Sequence, residues 1–250
     1  MNVGSIATRL VDTGARVTLP CMTTLLHIDA SARQTRSHSR RLSRRFVERW
    51  LARCPSAVVL RRDIGANPPP TLTEAVIAAA FTDPAERTDA MREALRGPDE
   101  LVDELVQADL IVLGTPMYNY GMPAALKAWI DLVIRVGRTF RFDLSNEHAP
   151  LIPLLSGKTL VVVSSRGEFG FQPGGERAHL NHLDPHLATI ARFLGVSDGF
   201  LVTIEYDELK GERFATSVRE AEARIEQLAA SLVMPAGAAP GPVSGSIDWR

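Results

Sequence analysis

One stretch constrains this chain more than any other: Leu110-Ile-Val-Leu-Gly-Thr-Pro-Met-Tyr-Asn-Tyr-Gly-Met-Pro-Ala-Ala-Leu-Lys-Ala-Trp-Ile-Asp131. Leu110 to Leu113 is a short unbroken apolar run, the pattern of a strand buried on both faces. Gly114 to Gly121 is a loop rich in Gly, Pro, Asn and aromatics. Pro123 suits a first helical position, and Leu126, Trp129, Ile130, Val133 and Ile134 then recur at helical spacing. Met117-Tyr118-Asn119-Tyr120 therefore sits where a parallel strand ends, which is where open α/β sheets bind ligands. A sulfur, two aromatic rings and an amide suit a flat aromatic ligand.

The same unit recurs along the chain. Thr24 to Ile28, Ala57 to Leu60, Thr159 to Val163 and Phe200 to Ile204 read as further strands. Helical spacing of apolar residues follows at Leu42 to Leu51, Asp99 to Ala108, Pro185 to Leu194 and Arg213 to Val233, with a weaker patch at Glu74 to Phe81. Asp83 to Gly97 reads as mobile or partly helical, and residues 143–156 as a connector. Five short strands alternating with helices predict a parallel sheet wrapped by helices on both faces. Right-handed crossovers allow either the order 2-1-3-4-5 or half of a dinucleotide-binding fold.

Composition narrows the class. The chain is 45% hydrophobic and 23% charged with a net charge of −1, so nothing in its balance asks for a nucleic-acid or membrane partner. Cys21 and Cys54 are too few for a disulfide framework or a zinc site and are read as incidental thiols of a reducing, cytoplasmic compartment. Arg9, Asp12 and Arg16 interrupt any signal-peptide core. Residues 1–21 are expected to be a disordered or non-native extension, residues 22–234 one domain, and the Ala-, Gly-, Pro- and Ser-rich residues 235–250 a disordered tail.

The first strand leads into a loop without a G-x-G-x-x-G fingerprint, which argues against a Rossmann-bound NAD. It offers Ser31, Thr35, Ser37 and Ser39 just before a helix N-terminus instead. Unpaired amides and hydroxyls there suit a terminal phosphate such as that of FMN; simple N-capping by Ser37 or Ser39 is the plainer alternative. The run Arg33, Arg36, Arg40, Arg41, Arg44, Arg45 and Arg49 reads as a solvated helix face, with Arg33 or Arg36 within reach of a phosphate. Ser156-Gly-Lys-Thr159 mimics the end of a P-loop, but Ile152 occupies its leading glycine position and a strand follows. His179, His182 and His186 are spaced as a surface loop, and no metal site is expected. Ser165-Arg-Gly167 follows a strand in turn, and its small residues let a ligand approach the backbone.

Taken together, Ser31 with Ser37-His-Ser39, Pro116-Met-Tyr-Asn-Tyr120, Gly137-Arg-Thr-Phe-Arg-Phe142 and Ser165-Arg-Gly167 resemble the flavodoxin-like FMN-dependent NADH:quinone oxidoreductases, the azoreductase family, over about Leu25 to Val233. The resemblance implies an α/β three-layer sandwich with a five-stranded parallel sheet of order 2-1-3-4-5. It implies FMN, with Ser31, Ser37, His38 and Ser39 at the phosphate, Pro116, Met117, Tyr118, Asn119 and Tyr120 along the ring, and Ser165, Arg166 and Gly167 over its other edge. It places Tyr120 and Phe142 at the substrate pocket, and implies a homodimer with the flavin sites at the subunit interface. Glu168 departs from the family's second glycine, and the segment from Phe169 to His182 differs from the best-known azoreductases, which makes azo reduction a less secure expectation than quinone reduction.

The implied reaction is ping-pong transfer of hydride from NADH or NADPH through FMN to a quinone, azo or nitro acceptor. It asks for positioning of stacked rings and names no catalytic side chain. The alternatives are a flavodoxin-type electron carrier, which the neutral charge and the insertions argue against, and a non-enzymatic flavin redox sensor.

Overall fold

The computed structural model describes residues 23–232 and the backbone of the pair 247–248. The expected extension 1–21 and most of the expected tail lie outside the described residues. Along the chain run β1 (Thr24–Asp29), α1 (His38–Leu51), β2 (Val58–Asp63), α2 (Glu74–Phe81), α3 (Asp89–Gln107), β3 (Leu110–Pro116) and α4 (Ala124–Val133). They are followed by β4 (Phe140–Phe142), β5 (Leu151–Pro153), β6 (Lys158–Ser165), α5 (Asp184–Ala191), β7 (Val196–Ile204), α6 (Gly211–Ser231) and β8 (Ile247–Asp248).

The main sheet has the order β2-β1-β3-β6-β7-β8, and all of its pairings are parallel. Its first five members are the expected strands in the expected 2-1-3-4-5 order, with the two-residue β8 added at the edge. Every residue of the central β3 is buried, because helices cover both faces. Alternation along the strands assigns the faces. Leu25, Leu110, Val112, Val161 and Val163 pack with Leu42, Phe46 and Trp50 of α1 and Ile225 and Leu228 of α6. Leu26, Ile28, Ile111, Leu113 and Val162 pack on the other side with residues of α3, α4 and α5.

Two segments are more regular than expected, the first within its partly helical alternative. Asp83 to Gly97 is ordered: a 3₁₀ turn at Pro84–Glu86 leads into α3, which runs through Pro98. Thr88 caps that helix by accepting from the Met91 amide. Pro98 withholds one N–H from the ladder, and burial of Leu95, Leu101, Val102 and Leu105 on either side of it offsets the loss. The connector 143–156 contains β5, which pairs antiparallel with β4 as a separate two-stranded hairpin. Asp99 of α3 holds the base of that hairpin through Arg135 and, at 3.0 Å, Arg138.

Candidate functional site at the carboxyl edge of the sheet

The loops after β1, β3 and β6 leave the sheet at the same edge and meet. Ser31, Ser37, His38, Pro116, Met117, Tyr118, Ser165, Arg166 and Gly167 border one cavity of about 290 Å³. Asn119 and Tyr120 border a second, of about 250 Å³, which shares Met117 and Gly167 with the first. Of the sequence-predicted residues, Ser39 is fully buried behind the first cavity, its hydroxyl 3.1 Å from that of Ser37. Phe142 is not brought to either cavity of its own chain. It projects from the β4–β5 hairpin and packs against Phe140 and Phe81, with ring centres 5.5 and 6.2 Å away.

The first cavity combines a helix N-terminus, hydroxyls and the cations Arg33, Arg36 and Lys210 with the carboxylates of Asp207 and Glu208. Ser37 is the N-cap of α1 and accepts from the Arg40 amide at 3.3 Å, so capping and ligand-facing positions coincide in one residue. The first turn of α1 carries no acidic residue to neutralise its N-terminal amides. Ser31 is held from behind: its carbonyl accepts two bonds from the Arg40 guanidinium, at 3.1 and 2.6 Å. The same guanidinium binds the Asp63 carboxylate at 2.7 and 2.6 Å, and holds that carboxyl below its usual range. Gly65 passes so close to the Ser31 carbonyl that a side chain there has no room. Arg40 thus departs from the expected solvated run, being 5% exposed. Arg41, Arg45 and Arg49 fit that expectation better, pairing near the surface with Glu222 and Glu226 of α6. Burial lowers the His38 pKa against the opposing pull of Asp207, 3.4 Å away. The His38 Nδ1 is buried without a partner.

Beneath this loop runs a polar chain. Arg61 donates to the Nδ1 of His27, whose Nε2 lies 3.0 Å from the Ser43 hydroxyl; Ser43 donates to Asp29 at 3.1 Å. Burial first, then the Arg61 charge, pushes the His27 pKa down to about 4. Burial raises that of Asp29, opposed by Arg40 and Ser43.

The second cavity is built around a strained turn. Tyr118 and Gly121 exchange backbone hydrogen bonds at 3.0 Å each way, and the two residues between them have positive φ, 47° at Asn119 and 66° at Tyr120. Positive φ at both central positions is the type I′ hairpin turn; asparagine tolerates it, while a tyrosine there is strained. The surroundings hold it: the His182 amide donates to the Tyr120 carbonyl, and the Met117 amide to that of Ser165, both at 2.9 Å. The Tyr120 ring stays 43% exposed, its centre 6.3 Å from that of Phe171.

The third loop is anchored by ion pairs. The Arg166 guanidinium turns into the protein, bonded to Asp184 and 3.7 Å from Glu205. Its charge is paired there, behind the wall of the first cavity that the residue borders. Gly167 faces the loop after β7, where a Cβ would come within 2.5 Å of the Glu208 side chain.

Sequence reasoning missed that fourth loop. Asp207, Glu208 and Lys210 all border the first cavity. Asp207 gathers its cations, lying 3.4 Å from His38 and 3.9 Å from Arg33 and bonded to Lys210. The strand-end rule used for the other three loops, applied after Ile204, points to these residues. Among the described residues no group of His, Cys, Asp and Glu is arranged to hold a metal ion.

A doubly wound parallel sheet with an anion end and an aromatic end at its carboxyl edge defines a class: α/β proteins that bind a phosphorylated planar ligand. Residues 23–229 match the family described as having a flavodoxin-like fold. The chain is 45% identical over 218 residues to FMN-dependent NADH:quinone oxidoreductase 2 of Idiomarina loihiensis, covering 84% of this chain and 91% of that protein. It is 46% identical over 211 residues to FMN-dependent NAD(P)H:quinone oxidoreductase 1 of Pseudomonas aeruginosa, covering 84% and 100%. The solved azoreductase of Bacillus anthracis strain Sterne shares the fold with a TM-score of 0.74 at 21% identity, covering 83% of this chain and 99% of that one. The FMN-dependent NADH-azoreductase of the Ames Ancestor strain, solved in complex with FMN, superposes with a TM-score of 0.73 at 18% identity, covering 84% and 98%. The chain belongs to the flavodoxin-like family of FMN-dependent NADH:quinone oxidoreductases.

Proposed function

We propose that this protein is an FMN-dependent oxidoreductase that passes two electrons from NADH or NADPH to quinones, and to azo compounds as further acceptors. What carries the proposal is the convergence of the β1, β3 and β6 loops on adjoining anion-binding and aromatic cavities. The residues present fit FMN. His38 has a buried Nδ1 without a partner at the anion end, beside the Ser37 hydroxyl at the N-terminus of α1.

In this proposal Ser31, Ser37, Ser39 and His38 hold the phosphate, Ser39 by fixing the hydroxyl of Ser37. Pro116, Met117, Tyr118, Asn119 and Tyr120 support the ring, and Ser165, Arg166 and Gly167 close its other edge, Arg166 as an internal brace. Bound FMN supplies the two-electron carrier between the nicotinamide and the acceptor. The chain supplies position. Tyr120 and Phe171, in contact with each other, border the cavity proposed for a second flat ring, and the I′ turn holds Tyr120 without a search for its conformation. No side chain is assigned a proton transfer.

The proposed assembly is a homodimer. The exposed rings of Phe81 and Phe142 and the exposed Leu144 support a partner subunit there, which is also how Phe142 would reach a substrate pocket. The proposed location is the cytoplasm; among the described residues no helix is long and apolar enough to cross a membrane. Steady-state oxidation of NADH by FMN-loaded protein with menadione tests the function. Sustained turnover is expected. A protein that binds FMN but turns over no acceptor would instead be a carrier or a sensor.

A further inference from the structure

We propose that Glu168 and Glu208 set the charge selectivity of the acceptor pocket, so that it admits neutral planar acceptors and rejects anionic ones. The inference rests on the oxidoreductase reading of the site and deepens it.

Two loops bring these side chains to one cavity. The Glu208 amide donates to the Gly167 carbonyl at 3.0 Å, and the Tyr206 amide to that of Glu168 at 3.1 Å. This pairing sets the end of the β6 loop against the β7 loop, and both carboxylates border the cavity that holds Tyr120 and Phe171. Because residue 167 is glycine, the Glu208 side chain lies directly over its backbone, between the anion end and the aromatic end. The remaining walls, Met117, Asn119, Tyr120 and Phe171, carry no charge.

The nearby cations offset the two only in part. Arg166 is committed to Asp184 and Glu205 inside the protein. Arg177 comes within 3.9 Å of Glu168, but it is bonded to Glu176 and lies over the Phe169 ring, 4.6 Å from its centre. Arg33, Arg36 and Lys210 line the anion end, where Asp207 gathers Arg33 and Lys210. An acceptor entering the cavity beside Tyr120 and Phe171 therefore meets apolar walls and a negative rim. A sulfonate or carboxylate on its ring is repelled there, while a neutral quinone pays nothing for the rim.

The test compares kcat/KM for menadione with kcat/KM for a naphthoquinone sulfonate on the FMN-loaded enzyme. In the wild type the sulfonate-to-menadione ratio is expected to rise with ionic strength, because salt screens the repulsion. Glu168→Gln and Glu208→Gln are each expected to raise the ratio about 5-fold at low salt, and together by roughly 10- to 30-fold, for partly solvated charges a few ångströms from the ligand. Both should flatten the salt dependence. Arg177→Gln, which bares Glu168, should lower the ratio. Menadione turnover with a ratio that neither salt nor the two glutamine variants move overturns this inference alone. Absence of turnover with every acceptor overturns the oxidoreductase reading, and this inference with it.

Discussion

Replacing Arg40 with methionine removes the brace behind the first loop and leaves the volume of the side chain largely filled. Four hydrogen bonds go with the guanidinium: two to the Ser31 carbonyl and two to Asp63. The three losses differ in weight. Ser31 is buried, 1% exposed, so its carbonyl loses both donors with little access to water, at about 1–3 kcal/mol. The Asp63 side chain is 36% exposed and rehydrates, which limits its share to about 1 kcal/mol. Asp29, 3.6 Å from the guanidinium, is left as a buried carboxylate with less compensation. The total is about 3–4 kcal/mol, in keeping with the loss of one partner from a buried ion pair. With an m-value of about 2 kcal/mol per molar urea, the unfolding midpoint should fall by roughly 1.5–2 M. Because the freed atom is the backbone of the loop proposed to hold the phosphate, FMN affinity should fall as well, by about 10-fold or more for a loss above 1.4 kcal/mol at that end. Urea titration of the apoprotein and fluorescence titration with FMN read the two effects separately. A midpoint shift under 0.5 M, on the order of 1 kcal/mol, together with unchanged FMN affinity, would refute the bracing role.

Two further outcomes follow from the site. Tyr120→Gly relieves a non-glycine residue at φ 66°, so apoprotein stability should stay within about 1 kcal/mol of wild type, while loss of the ring raises the KM for menadione; destabilisation beyond about 2 kcal/mol would show that the ring is a core element and not a held platform. The His27 pKa lies near 4, below its ordinary 6.5, so the unfolded chain takes up the proton first as pH falls. The stability tied to neutral His27 is present above pH 6.5 and is lost toward pH 4, at most about 3 kcal/mol. The raised Asp29 pKa works in the opposite sense and trims this slope. His27→Gln should flatten unfolding free energy against pH across that window; an unchanged slope would place the titrating group elsewhere.

The sheet was legible because burial leaves a local mark. β3 is covered on both faces, so its residues had to be apolar without interruption, and the helix after it had to show one apolar stripe. The meeting of the loops after β1, β3 and β6 at one edge was legible for the same reason, since a strand end fixes where a loop begins. Arg40 was not legible, because its meaning lies in Asp63 and the Ser31 carbonyl, partners outside its own helix; among seven arginines it looks like the solvated ones. The amino half of α3 was hidden by Gly97-Pro98, which reads as a break until the burial of Leu95 and Leu101 on either side is known. The β4–β5 hairpin is three residues on each side, too short for alternation to show. The I′ turn at Asn119 and Tyr120 lacks the glycine that usually announces it. Glu208 gains its place only through the absence of a side chain at Gly167, in a loop distant along the chain.

The central claim is that the carboxyl edge of this sheet holds FMN. The absorption spectrum of the purified protein, followed by identification of the flavin released on denaturation, tests it most directly. The account predicts flavin absorption bands, FMN in the released fraction at close to one per chain, and weakened retention when Asn119 and Tyr120 are both replaced by alanine. A colourless protein that takes up no added FMN, or one whose FMN is held unchanged by that double variant, would contradict it.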